Sequence, residues 1–161
     1  MSHKVGVLYG SPRDKDKVKG AWITLQWFGI EADHRVLSAH RNPNEVVELV
    51  ESGKANGYSA FIGAAGMANH LAGTIAAHTT LPVVGLPLSG GALNGVDSLY
   101  ATVQMPPGVP VGTVAIDGAV NAALQVIRQL AVNDEDLTTK LEAFAAAGFQ
   151  SEELTELIKA A

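Results

Sequence analysis

Residues able to do chemistry gather in three short segments. The first is Gly10-Ser11-Pro12-Arg13-Asp14, which sets a hydroxyl, a guanidinium and a carboxylate just ahead of a helical pattern. Free backbone N–H groups and the helix dipole attract anions there, so Ser11 fits a phosphate contact. The same residues also fit a plain capping turn, with Ser11 or Asp14 as N-cap. This segment is neither a GxGxxG fingerprint nor a Walker loop, so dinucleotide and NTP binding lose support. The second segment, Ser38-Ala39-His40-Arg41, pairs a side chain that exchanges protons near neutral pH with a fixed cation that can clamp an anion. A lone loop histidine equally fits a solvated or capping role. The third, Gly63 to His70, is built of small residues that let backbone approach a ligand; it equally fits tight helix–strand packing with His70 as a cap. His3, His34 and His78 show no metal-ligand spacing and no carboxylate cluster joins them, so no metal site is expected.

These segments must be held by regular elements, and the chain reads as alternating strands and helices. Apolar runs predict strands at Lys4–Tyr9, Glu31–Leu37, Tyr58–Ile62, Pro82–Leu86 and Val111–Ile116. Helical spacing covers Lys15–Phe28, Leu71–Thr79, Asp97–Gln104 and Ala119–Ala131. A further helix runs from Pro43 to about Asn56, with Asn42 as N-cap and Glu45 completing a capping box. Two amphipathic helices, Glu135–Ala147 and Glu152–Ala160, form a tail. Such alternation implies a parallel sheet covered on both faces: a three-layer α/β/α sandwich, in which five strands favour the flavodoxin-like order. That order brings the loops after strands 1, 2 and 3 together at the carboxyl edge. The expected organisation is one domain over 1–161, with a core at about 4–131 and a helical tail at about 132–161.

Charge is scarce. From Ala55 to Ile116, 62 residues, the only Asp, Glu, Lys or Arg is Asp97. The run is too interrupted by Asn, His, Gly and Pro to be a membrane span, so it should be buried in a core, hidden in an assembly or lining a dry pocket, with Asp97 as a helix cap. The absence of cysteine excludes a thiol nucleophile. A formal net charge of −5 gives no basic footprint for nucleic acid. The run Val5–Tyr9 is too short and wrongly flanked to read as a signal peptide, so a cytoplasmic protein is expected.

Four motifs in order closely resemble the class I N5-carboxyaminoimidazole ribonucleotide (N5-CAIR) mutases of purine biosynthesis. They are Gly10-Ser-x-x-Asp14, Ser38-Ala-His-Arg41-x-Pro43, Ala65-Gly-x-Ala-x-His70-Leu-x-Gly73 and Gly95-Val-Asp-Ser-Leu-Tyr-x-x-Val-Gln-Met-Pro106. The likeness continues through Gly108–Ile116 and Asn121–Ala123. It implies an octameric, cofactor-independent isomerase that moves a carboxylate from the exocyclic amine of an imidazole ribonucleotide to ring carbon 4. By that resemblance His40 is the general acid and base, Ser11 and Arg41 meet anionic groups, and Asp14 meets ribose hydroxyls. Ser38 joins the substrate contacts, and Gly66, Met67 and His70 border CO2 and the imidazole. The chain departs from the pattern at Arg13, where a second serine is usual, at Asn69, where alanine is usual, and at Ala72, where proline is usual. The class II carboxylases, which use free CO2, and a non-catalytic phosphoribosyl-binding module are the alternatives; Arg41, where class II proteins carry lysine, favours the mutase.

Overall fold

The structure, a computed structural model, describes residues 2–161. Five strands, β1 (Lys4–Tyr9), β2 (Glu31–Val36), β3 (Tyr58–Gly66), β4 (Val83–Leu88) and β5 (Gly112–Thr113), form one all-parallel sheet in the order β2-β1-β3-β4-β5. Parallel neighbours need crossovers, and helices supply them: α1 (Lys15–Trp27), α2 (Pro43–Glu51), α3 (His70–Ala77), α4 (Val96–Val103) and α5 (Ala119–Ala131). The tail adds α6 (Glu135–Ala146) and α7 (Glu152–Ala160). This is the expected flavodoxin-like order.

Alternation of side chains along the central strands divides the core in two. Val5, Val7, Ile62, Ala64, Val84 and Leu86 meet α1 and α5, while Leu8, Phe61 and Val83 meet Val46, Val50, Leu71 and Ile75 of α2 and α3. Central strands covered on both faces tolerate no charge, and β1, β3 and β4 carry only Lys4, at a strand start. Edge strand β2 is the opposite. Its Glu31, Asp33 and Arg35 are charged, and such residues discourage pairing with another chain. Gly63 and Gly85 stand opposite one another in β3 and β4. A Cβ on Gly63 would lie 2.8 Å from Ala72 Cα, and one on Gly85 would overlap Thr102, so both are small because α3 and α4 lie close on the sheet.

The tail docks rather than trails. Phe144 lies edge-on to Trp27 and Phe28, Trp27 donates to Glu153 at 2.9 Å, and Leu154 is buried.

Several expected boundaries shift for identifiable reasons. β3 extends to Gly66 rather than ending at Ile62, because Gly63 to Gly66 keep pairing with β4. β5 shrinks to two residues. Pro110 has no N–H to give, and the chain turns away where the Gly118 N–H bonds Ala115 O at 2.9 Å. α2 stops at Glu51; its end turns so that the Tyr58 N–H meets Gly53 O at 3.0 Å and the chain enters β3. The capping box is absent: Asn42 makes no side-chain cap to the backbone and instead donates to the Glu45 carboxylate at 3.3 Å. Asp97 lies inside the first turn of α4, accepting the Ser98 N–H at 2.9 Å, while the cap position is Gly95 with φ +95°.

Candidate active site

At the carboxyl edge of the sheet, three hydrogen bonds tie the first three loops together. The Gly10 N–H donates to Ala64 O at 3.0 Å, joining the loop after β1 to β3. Arg41 Nη2 donates to Gly10 O at 3.2 Å, joining the loop after β2 to the loop after β1. His40 Nε2 lies 2.9 Å from His70 Nδ1, joining the second loop to the third. The topology thus brings together the segments that the sequence separates by about 30 residues each.

Each loop is shaped by its own sequence. Ser11 has extended backbone and its Oγ accepts the Arg13 N–H at 3.3 Å, capping a single 3₁₀ turn, Pro12–Asp14, that leads into α1. Asp14 occupies the N-cap position of α1 without a side-chain cap bond to the helix. Burial pushes the Asp14 carboxyl above its usual range, against the opposing pull of Lys17, the Ser11 backbone and Arg41. Ser38 is buried, and its Oγ accepts the N–H groups of both His40 and Arg41 at 3.3 Å. This is the turn chemistry expected of serine, and it presents His40 and Arg41 outward, both exposed. The third loop rises from β3 through Gly66 to Met67, whose φ is +53°, a left-handed conformation that costs a side-chain-bearing residue about 1–3 kcal/mol. Such strain persists where the surroundings over-determine it. Met67 is 61% exposed at the loop tip, and a Cβ on Gly91 of the loop after β4 would lie 3.1 Å from its Cγ.

The two imidazoles meet nearly at right angles, 80°, with ring centres 4.9 Å apart. In a hydrogen bond between neutral rings one nitrogen carries the proton and the other accepts it, so the contact can fix which His40 nitrogen is protonated. Arg41 adds a permanent cation beside the pair, and Ser11, Asp14 and Ser38 lie on the loops it joins. Arg13 is exposed, and its N–H donates to Ser11 Oγ at 3.3 Å. The arrangement combines a proton carrier, a cation and hydroxyls around a small-residue wall, which suits proton transfer on a small anionic molecule.

Residues that the sequence reading did not single out support this edge. Lys17 donates to Ser89 O at 2.6 Å and to Ser89 Oγ at 2.7 Å, and the Ser89 N–H donates to Asp117 at 2.9 Å. Ser98 Oγ donates to Ala65 O at 2.7 Å and accepts the Leu88 N–H at 3.3 Å, so α4 stitches the ends of β3 and β4 together. Only the i, i+4 spacing of Ser98 and Thr102 in a largely apolar helix hints at this. A groove of about 780 Å³ lies elsewhere, between α5 and the tail, and Arg128 is its only ionisable lining residue. No cluster of three or more His, Cys, Asp or Glu able to hold a metal occurs among the described residues. No helix among them is long and apolar enough to cross a membrane.

Comparison with known proteins matches residues 4–150 to the family described as AIR carboxylase. A protein of Brucella melitensis biotype 1 named N5-carboxyaminoimidazole ribonucleotide mutase is 45% identical over 153 residues, covering 94% of each chain. One of the same name from Vibrio vulnificus is 44% identical over 150 residues, covering 92% of this chain and 93% of that one. The crystal structure of Treponema denticola PurE superposes with a TM-score of 0.82 at 26% identity, covering 91% of this chain and 92% of that one.

Proposed function

The chain belongs to the AIR carboxylase family, and from that membership we propose that it is an N5-CAIR mutase of purine biosynthesis with His40 as its proton carrier. Protonated His40 gives a proton to the exocyclic nitrogen as the nitrogen–carboxylate bond breaks, yielding an amine and CO2. Ring carbon 4 then attacks the retained CO2, and neutral His40 takes the proton that this carbon loses. The histidine ends as it began, and the net change is a carboxylate moved from nitrogen to carbon. An imidazole exchanges protons near neutral pH, so one side chain serves both transfers.

The observation that carries this reading is the 2.9 Å contact of His40 with His70 at the point where the three loops meet. Around it, Ser11 and Arg41 take the anionic groups of the substrate, Ser38 joins the substrate contacts, and Asp14 accepts from ribose hydroxyls, since a carboxylate accepts but does not donate. Gly66, Met67 and His70 border the CO2, where a charge-free wall limits its escape. The organisation is one domain, acting in the cytoplasm without a cofactor.

The catalytic unit is an assembly of identical subunits, an octamer by family resemblance. Val96, Tyr100 and Val103 form an exposed apolar stripe on α4, and Leu93 and Met67 are exposed as well. Identical subunits would cover it.

His40→Asn tests the reading. Carboxylate transfer should fall by roughly 10²–10⁴-fold with fold and assembly unchanged. Transfer near the parent rate would remove His40 from the role.

A further inference from the structure

Asn69 immediately precedes His70 and stands at the N-cap of α3. An asparagine there ordinarily turns its oxygen onto an N–H of the first helical turn. Asn69 does not; its side chain makes no cap bond and is fully buried instead. Nδ2 donates to Thr102 Oγ1 at 2.9 Å and to Leu86 O at 3.4 Å. Thr102 donates in turn to Ser98 O at 2.7 Å, and Ser98 Oγ reaches Ala65 O. A buried polar chain therefore runs from β3 and β4 through α4 to the residue beside His70.

The choice of asparagine is poor for stability alone. Its Oδ1 is buried with no hydrogen-bond partner among the described residues, an arrangement that costs free energy relative to a small apolar residue. What it does accomplish is local. The loop between Gly66 and His70 is held by tight bonds, Asn69 N–H to Met67 O at 3.2 Å and His70 N–H to Ala68 O at 2.8 Å, while Met67, Ala68 and His70 are exposed. Among the described residues of this loop tip Asn69 is the buried one, and its side chain ties the tip to β4 and α4.

We infer that Asn69, held by Thr102, is a positioning residue that keeps His70 in hydrogen-bond register with His40. It touches neither substrate nor the reacting atoms. Its effect passes through the orientation of the His70 ring, and hence through which nitrogen of His40 is offered to the substrate. The inference deepens the proposed mutase reading and rests on it for its kinetic readout only.

Thr102→Val keeps the shape of the side chain and removes the acceptor, while Asn69→Ala removes the donor. Each should lower kcat for carboxylate transfer about tenfold, less than the roughly 10²-fold that a full 1 Å misplacement can cost, with KM within about twofold. In protein labelled with ¹⁵N-histidine, the His40 and His70 ring nitrogen signals should shift together toward those of rings without a mutual hydrogen bond. The double variant should be no worse than Asn69→Ala alone, because the Asn69–Thr102 bond that Thr102→Val removes is already missing there. A lowered melting temperature with unchanged kcat and unchanged ring signals would overturn the inference and leave Asn69 a packing residue. Should Asn69→Ala fail to fold, the near-isosteric Thr102→Val decides on the same two readouts. Parent protein that transfers no carboxylate would sink the mutase reading instead, and the ring signals would still report on the positioning.

Discussion

Helices α4 and α5 lie on opposite faces of the sheet and are built inside out relative to one another. α5 follows the usual rule: Ala119, Ala122, Ala123, Val126, Ile127 and Ala131 are buried against the strands, and its polar residues face out. α4 buries Ser98 and Thr102 and exposes Val96, Tyr100 and Val103. A helix that turns hydroxyls inward and apolar groups outward gains little from the subunit's own core. Its inward face is a scaffold of hydrogen bonds beneath the candidate site, and its outward face is suited to burial against another subunit. The layer of α1 and α5 is held by packing, and the other layer combines the packing of α2 and α3 with the directed polar contacts of α4.

The largest effect should come from breaking the ordinary helix. Ile127→Ala removes a fully buried side chain and should cost about 2–5 kcal/mol, read by urea denaturation at fixed protein concentration. Ser98→Ala should cost about 1–3 kcal/mol by leaving Ala65 O and the Leu88 N–H short of their partner. A loss as large as that of Ile127→Ala would mean that α4 is a core helix after all. Tyr100→Glu places a charge on the outward stripe. Subunit stability should stay within about 0.5 kcal/mol while the assembly dissociates in sedimentation, and an unchanged assembly would remove α4 from the interface.

Part of the pH dependence of stability should come from the α4 side of the sheet, where Tyr58 and Asp33 meet. Burial and the hydrogen bond to Asp33 push the Tyr58 hydroxyl up to about 12. A raised folded value means stability fully present below the unfolded tyrosine value near 10, and lost as pH rises from there to about 12. Burial pushes the Asp33 carboxyl up, but its bonds to Arg35 and Tyr58 outweigh that and hold it below its usual range. Its contribution is present above about pH 3.9 and is lost as pH falls further. Tyr58→Phe should flatten the alkaline limb of a melting profile, the smallest of these effects, and an unaltered limb would assign it to another group.

The three loops and α5 were legible in the sequence because both rest on local rules. Ser11, His40 and Arg41 advertise their chemistry by type, and the 3.6-residue period of Ala119 to Ala131 reads directly as a buried face. The α4 scaffold was not legible. Serine and threonine on a helix normally read as solvated, and nothing local tells that Gly85 opens space for Thr102 to approach β4. The inward turn of Asn69 is equally a tertiary choice made against its local capping preference. β5 shortened because a run such as Val111 to Ile116 looks the same whether or not a neighbour pairs with all of it.

The central claim is that the carboxylate leaving nitrogen is the one that arrives on carbon. N5-CAIR carrying a ¹³C-labelled carboxylate, turned over in unlabelled bicarbonate, tests it directly. Product that retains the label is expected, whereas label diluted to the level of the solution would show that free CO2 is the substrate and contradict the mutase.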